Sequence, residues 1–394
     1  MVLDGGAALP SCGSLAEAGL CDAAVLTLVL SPDDLVITAS EDGDAKLWSA
    51  GSGRCVHTLR GHAAGVTTAA LSPRGERALT AGRDCTARIW STITGQALHR
   101  LGEHSGEVTA ASFSPSATSV LTASTDCTAI LWSADEGMLL RALRGHTAAL
   151  RSAAFSPEGS WALTGAEDGS ARLWSADTGE CLRVLDGHDA VLRWVAFSPD
   201  CKLAATAAAD WTVRLWDCAS GDCLRRLPPP DLPFLLEPLG DSGVTRVCFS
   251  PDSSKVLTMH GKSGMVRLWG PTCGEVLHDL RGHTDWIRSA CFSPTGEHVL
   301  SASDDGTAKL WSSATGECLR TFGEGAAEAH VAVFGLNTAC FSPDGAWILT
   351  SSDDWTASIW SAESGDLVRK FARHSEVVLC AAFSPGYAVT LPPA

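Results

Sequence analysis

Residues Gly145 to Trp174 read GHTAALRSAAFSPEGSWALTGAEDGSARLW, and near-copies of this stretch recur along almost the whole chain. The closing tryptophan returns at Trp48, Trp90, Trp132, Trp174 and Trp216, each 42 residues after the last. It returns again at Trp269, Trp311 and Trp360, with gaps of 53, 42 and 49. Self-similarity at a fixed period of roughly 40–45 residues marks a closed array of four-stranded blades, each too small to bury its apolar face alone.

Each copy carries four strand signals. The segment after Gly-His, here Ala148–Phe155, is apolar and small, as expected of an inner strand. It ends in Ser156-Pro157-Glu158-Gly159, where Pro presets φ at the second turn position and Gly suits the fourth. WALTGA follows, then a tight turn at Asp168, then SARLW. The unit closes with an edge strand over Gly179–Leu185. Short strands at about ten-residue spacing, bounded by Gly, Pro, Asp and Ser, predict an all-β fold.

The bulk composition narrows the function. Of 394 residues, 45% are hydrophobic and 19% charged, enough apolar content for a large core. A net charge of −16 repels phosphate backbones, so no direct nucleic-acid binding is expected. No apolar run approaches the roughly 18–20 residues that span a bilayer, so no membrane insertion is expected. The first basic residue is Lys46, which argues against a secretory or transit peptide. Fifteen cysteines is an odd count. Cys85 and Cys127 follow the same turn aspartate, and Cys55, Cys181 and Cys223 each lie seven after a landmark Trp. These read as small buried hydrophobes in a reducing compartment, pointing to the cytoplasm, with nucleus and cilium not excluded. No CxxC pair exists, so no zinc site is expected. GxxxxGK[ST], GxSxG and HExxH are missing, and Gly323-Glu324-Gly325 lacks the third glycine of a dinucleotide loop. The expectation is a protein without catalytic residues, cofactor or metal.

Three landmarks connect the repeat to a known family. Gly-His stands at Gly61-His62, Gly145-His146, Gly187-His188 and Gly282-His283, while His104 and His374 keep the His alone. An aspartate lies six before seven of the eight landmark tryptophans, at Asp42, Asp84, Asp126, Asp168, Asp210, Asp305 and Asp354. Trp-Asp itself survives at Trp216-Asp217. On these residues the chain resembles the WD-repeat (WD40) β-propeller family over nearly its full length. The resemblance implies a hydrogen-bonded chain of His, Ser or Thr, Asp and Trp inside each blade, a structural role that satisfies buried polar groups. The set expected to be complete is His104, Ser124, Asp126 and Trp132, and again His283, Ser303, Asp305 and Trp311. It is expected to be partial where Gly82, Ala166 or Ala208 replaces the hydroxyl, and in the first unit, where Leu20 aligns with the His. In the sixth unit Ser263 stands at the Asp position, and that blade is expected to be the least rigid.

The period yields eight full units, with a short N-terminal segment 1–20, a propeller over 21–374 and a remainder 375–394. That remainder reads as a C-terminal tail or as part of a ninth repeat finished by the N-terminal segment. Eight closed blades are favoured, because closure leaves no inner edge exposed.

The resemblance implies that partners bind at the loops of one rim and at the channel mouth. Two loops exceed the period, Pro228–Asp241, with apolar Phe234 and Leu235, and Gly323–Asn337. Both flank the seventh blade on the face of the Gly-His loops. The residue four before the inner-strand Phe, or its Leu equivalent, lies near the mouth by family analogy. It is Arg151, Arg193 and Arg288 in three units, an arrangement suited to carboxylates or phosphates. Each Arg could instead pair with a loop acid such as Glu167 or Asp304. Trp211, Trp286 and Trp355 stand where other repeats have mostly Ala, Gly or Cys, and Asp285 adjoins Trp286. Exposed Trp is enriched at binding hot spots. Glu41, Asp304 and Asp353 precede the turn aspartates and make an acidic sector.

These features describe a non-catalytic scaffold, a monomeric propeller within a larger complex, holding proteins or peptides on its Gly-His face. Acidic or phosphorylated peptides suit the arginines, as in a substrate receptor of a ubiquitin ligase. No F-box-like segment precedes the repeats, however, and Trp216-Asp217 continues as Cys218-Ala219, without the ligase-adaptor arginine. A ciliary or axonemal assembly factor is the analogy by fold alone. An enzyme with a channel-mouth site is the reading from a different class.

Overall fold

A computed structural model describes residues 35–228, 243–323 and 334–385. Phe234, Leu235 and Leu20 lie outside these residues, as do most of the two long loops and both ends of the chain. The described strands form eight antiparallel sheets of four strands each. In the repeat quoted above they are Leu150–Phe155, Trp161–Ala166, Ala171–Ser175 and Cys181–Leu185. The inner strand starts two residues later than its apolar run. The carbonyl of Ala149 accepts from Glu167 N–H inside the loop that precedes it. The Ser-Pro turn closes as expected, with Gly159 N–H donating to Ser156 O at 2.8 Å and Gly159 at φ +79°.

Each blade buries its apolar face against the next. Leu121, Leu131 and Leu143 of the third blade pack on Leu150, Ala162 and Trp174 of the fourth. Eight such clusters occupy the eight blade junctions, and the landmark tryptophans are at the centre of each. The eighth junction joins the chain's two ends, with Ile359 and Phe371 against Val36, Trp48 and Phe383. The strand Val378–Phe383, expected as a tail or a ninth unit, is the inner strand of the first blade. It pairs antiparallel with Leu35–Ser40, Ile37 opposite Ala382. Among the described residues no ninth blade forms. His374 therefore supplies the imidazole where Leu20 was aligned: its Nδ1 lies 2.9 Å from Asp42 and its Nε2 2.8 Å from Thr38.

The hydrogen-bonded chain exists, but its hydroxyl comes from a different position than expected. His104 Nε2 meets Thr122 Oγ1 at 2.8 Å, Trp132 Nε1 donates to the same oxygen at 2.8 Å, and His104 Nδ1 meets Asp126 at 2.9 Å. In the seventh blade Ser301 fills that place between His283 and Trp311. Ser124 and Ser303 lie outside the chain and brace the turns, each accepting from the amide of the turn aspartate. The reason is geometric: side chains alternate along a strand, so the residue two earlier faces the same side but sits deeper, within reach of the indole N–H. Hence Gly82, Ala166 and Ala208 cost the network nothing, because Thr80, Thr164 and Thr206 carry it.

The sixth blade has a substitute. Thr258 still accepts from Trp269, and His260 Nε2 reaches Thr258 at 3.1 Å from its own strand. Ser263 closes a 3-10 turn by donating to His260 O. The cysteines also differ from expectation. All those described are free thiols, Cys181 and Cys223 are exposed and Cys55 is half-buried. Their position begins the outer strand, which has no neighbour on its far side.

Candidate functional site

One irregularity is repeated in every inner strand. The pairing register slips where Leu150 is opposite Ala166 and Ser152 opposite Gly165, leaving Arg151 as an extra residue. The same bulge holds Thr67, Thr109, Arg193, Thr245, Arg288 and Asn337. A bulge re-aims one side chain and leaves it out of the ladder. The positions read from the sequence as mouth residues are therefore one structural class, at the Gly-His end of each inner strand. The eighth member, Leu379, lies in the strand that closes the ring, where the register slips between Ala39 and Ser40. It was missed because the repeat count placed it outside the array.

The three arginines do not form an open anion trap. Arg288 grips Asp304 with both Nε (2.8 Å) and Nη2 (2.7 Å), and Arg151 Nε donates to Glu167 at 2.6 Å. Each acid stands sixteen residues on, at the turn facing the bulge. Asn337 makes the neutral version of this bond, its amide donating to Asp353 at 2.7 Å. Arg193 occupies the corresponding place in the fifth blade and is half-buried. Glu41 of the first blade pairs with Arg83 of the second at 2.7 Å.

Acid exceeds base beside the seventh and eighth blades. The hydrogen bond to Asp304 raises the Arg288 guanidinium above its usual range, and the charges of Asp304, Asp353 and Asp285 add to this. Gly335 shows how close these acids are. A Cβ there would lie 2.8 Å from Asp304 Oδ1 and 3.2 Å from Asp353 Oδ2. Asp285 is exposed, and its Oδ1 accepts from Trp286 N–H at 2.8 Å. Trp286 is half-buried, its carbonyl accepting from Asp304 N–H and its ring 5.9 Å from the Arg288 guanidinium carbon. Trp286, Arg288, Asp285, Asp304 and Asp353 thus form one continuous sector.

The remaining tryptophans separate into two kinds. After the turn aspartate the chain needs a left-handed residue, and Gly43, Gly169 and Gly306 supply it at φ +76° to +82°. Trp211 (φ +66°) and Trp355 (φ +71°) adopt the same conformation with a large side chain. Bulky residues rarely do, and such strain clusters at functional sites. Trp211 has a packing reason, since its ring stacks on His260 of the next blade at 6.4 Å and 13°. Trp355 is 49% exposed, two residues from Asp353. No group of three or more metal-ligating side chains occurs among the described residues.

The chain's likeness to known proteins follows the same geometry. A family model described as IFT122 first beta-propeller matches residues 24–224, and WD domain, G-beta repeat matches residues 235–270, 274–312 and 316–361. The nuclear distribution protein PAC1 of Arthroderma benhamiae is 38% identical over 74 residues, 19% of this chain and 15% of that protein. A ribosome biogenesis protein BOP1 homolog of Drosophila grimshawi is 56% identical over 41 residues, 10% of this chain and 5% of that protein. The chain thus matches only a small part of the length of these relatives. Among solved structures, the computationally designed Ika8 protein superposes with a TM-score of 0.71 at 27% identity, over 83% of this chain and 93% of that one. Repeat, closed ring and matched residues agree, and the chain belongs to the WD-repeat (WD40) β-propeller family.

Proposed function

We propose that this propeller is a non-catalytic scaffold that holds a basic segment of a protein partner on its Gly-His face, across the seventh and eighth blades. WD-repeat propellers bind other proteins, and the surface chemistry supports this choice of segment. The observation that carries it is the Trp286–Asp304–Asp353–Trp355 sector. Its one arginine is already held bidentately by Asp304, while Asp285 and Asp353 remain in surplus beside an exposed, strained indole. Lys or Arg side chains could pair with the surplus acids and stack on Trp355. An acidic or phosphorylated peptide would first have to displace Asp304 and Glu167 from Arg288 and Arg151, which counts against a phosphodegron-type receptor. Exposed free thiols at Cys181, Cys223 and Cys318 support a reducing compartment, with the cytoplasm as the proposed place of action.

A peptide array containing basic, acidic and phosphorylated sequences tests the reading. Wild type should retain basic peptides, more weakly as salt rises, and Asp353→Asn with Trp355→Gly should lose them. Preferential retention of phosphorylated peptides, lost in Arg151→Ala, would instead favour the ligase-receptor reading.

A further inference from the structure

The third residue of each inner strand makes a second ring just below the bulges, on the innermost strands that surround the channel, and Cys380, Trp194 and Ala110 pack against the blade junctions. The ring reads Thr68, Ala110, Ser152, Trp194, Arg246, Ser289, Thr338 and, in the closing strand, Cys380. Six are small. Trp194 and Arg246 are not, and they meet: the Arg246 guanidinium carbon lies 4.5 Å from the centre of the Trp194 ring. The titratable groups that act on that guanidinium are the thiols of Cys380, Cys248 and Cys291, and among the described residues no carboxylate forms an ion pair with it. Burial pushes the Cys248 thiol up to about 12 and Cys291 up to about 11, so both stay neutral. Arg246 is therefore a cation beside the channel whose described neighbours include an indole face and no paired carboxylate. Guanidinium does not lose its proton to escape this.

A cavity of about 650 Å³ opens two residues further along these strands, on the face opposite the Gly-His loops. Its walls are apolar: Phe249, Phe292, Phe341 and Phe383, with the prolines of the Ser-Pro turns. Cys248 lines this cavity and lies two residues beyond Arg246 on the same face of its strand, so the cation stands at the cavity's inner end. Two hydroxyls add to the polar shortfall. The Oγ of Ser384, a lining residue, is buried with no protein partner. So is the Oγ of Ser112, which holds the Cys248 position in the third blade. Sites for small molecules have this form: mostly apolar walls, a volume of roughly 300–1,000 Å³ and a few polar groups that fix orientation.

We infer that the channel is a binding site for a small amphipathic anion, a carboxylate or phosphate monoester on an apolar body, with the anion on Arg246 against Trp194 and the body among the phenylalanines. The ligand enters from the Ser-Pro face. It leaves the Gly-His face free, so the site is independent of the partner surface proposed above.

Isothermal titration of the whole chain tests this with octanoate, octyl phosphate, octanol and inorganic phosphate. Wild type should bind octanoate or octyl phosphate, and whichever binds tighter identifies the headgroup. Arg246→Met should weaken that binding at least about tenfold, the scale of one charge-assisted hydrogen bond. Octanol should bind both proteins equally and more weakly. Cys291→Trp keeps the cation but fills the cavity, and it should abolish binding independently of any folding defect in Arg246→Met. The inference is overturned if neither amphipathic anion binds, if Arg246→Met binds as wild type does, or if inorganic phosphate alone binds as tightly.

Discussion

At the scale of single residues, what decides a role is the backbone position rather than the side-chain type. Trp211 and Trp355 are the same residue in the same left-handed turn, yet one has a stacking partner in the next blade and the other faces solvent. A left-handed conformation costs an L-residue about 1–2 kcal/mol, and glycine removes that cost but adds freedom to the unfolded chain. Trp355→Gly should therefore leave stability unchanged or raise it by up to about 1 kcal/mol in urea unfolding, while partner binding falls. Trp211→Gly should destabilise, since it also loses the contact with His260. The hydroxyl shared by His and Trp makes a second comparison. Thr122→Val strands His104 Nε2 and Trp132 Nε1 in the blade interior, and should cost about 1–3 kcal/mol. Ser124→Ala removes a hydroxyl that ties the turn to the Gly106 carbonyl but leaves the indole and imidazole paired, and should cost less, about 0.5–1.5 kcal/mol. Equal losses in thermal unfolding would contradict the placement of Thr122 in the chain of bonds.

At the scale of the blade, the buried imidazoles set a response to acid. In the fourth blade His146 Nδ1 lies 3.0 Å from Asp168 and Nε2 2.9 Å from Thr164. Burial holds His146 below its ordinary value of 6.5, outweighing the attraction of Asp168, and His62 and His374 are lowered for the same reason. His260 is lowered furthest, to about 3, by burial and then by Arg267. A folded-state value below the unfolded one means stability is fully present above the unfolded pKa and lost as pH falls through it. For these histidines the loss begins near 6.5. Burial pulls the Asp168 carboxyl up, but hydrogen bonds from Thr147, Ser170 and His146 outweigh it and hold it at about 2. Its contribution is thus complete above its ordinary 3.8 and lost between there and about 2. Melting temperature should be flat from about pH 7 to 8, fall below about 6.5 and fall again below about 4. His260→Phe keeps a ring under Trp211 and should make the first fall shallower; an unchanged profile would remove His260 from the account.

At the scale of the whole molecule, closure is the feature on which the rest depends. Strand Val378–Phe383 gives the first blade its inner edge, and His374 and Asp42 join residues 332 apart in sequence. Every other blade completes itself from consecutive strands, so at this seam alone among the described blades the sheet is held by pairing across the ring closure rather than by a hairpin connection. Truncation after Arg373 should expose the edge of Leu35–Ser40, strip Ala381 and Phe383 from the cluster around Trp48, and broaden the urea transition. Trp174→Ala, in a blade of consecutive strands, should cost about 3–5 kcal/mol yet keep a single transition. If the truncated chain unfolds as sharply as the full one, the seam is not what makes the ring cooperative.

Much of this was legible in the sequence, because a 42-residue period, Ser-Pro-x-Gly turns and a buried Trp are local or periodic signals. They set strand order within a blade and favoured eight blades over an incomplete ninth, while the rim where partners meet the ring came from the family resemblance. The candidate site was legible as positions: Trp286 and Trp355 as departures from the repeat, and Arg151, Arg193 and Arg288 as mouth residues by family analogy. How these side chains pair is visible only in three dimensions. Residues sixteen apart become a guanidinium and its acid because a bulge turns Arg288 toward the turn that holds Asp304. Thr122 displaces Ser124 because depth in the blade, invisible to a count of offsets, decides which hydroxyl reaches the indole. The closing strand depends on curvature accumulated over all eight blades, and the meeting of Trp194 with Arg246 on the packing of two neighbouring blades. Local physics sets the form of each blade, while ring closure is a property of their sum.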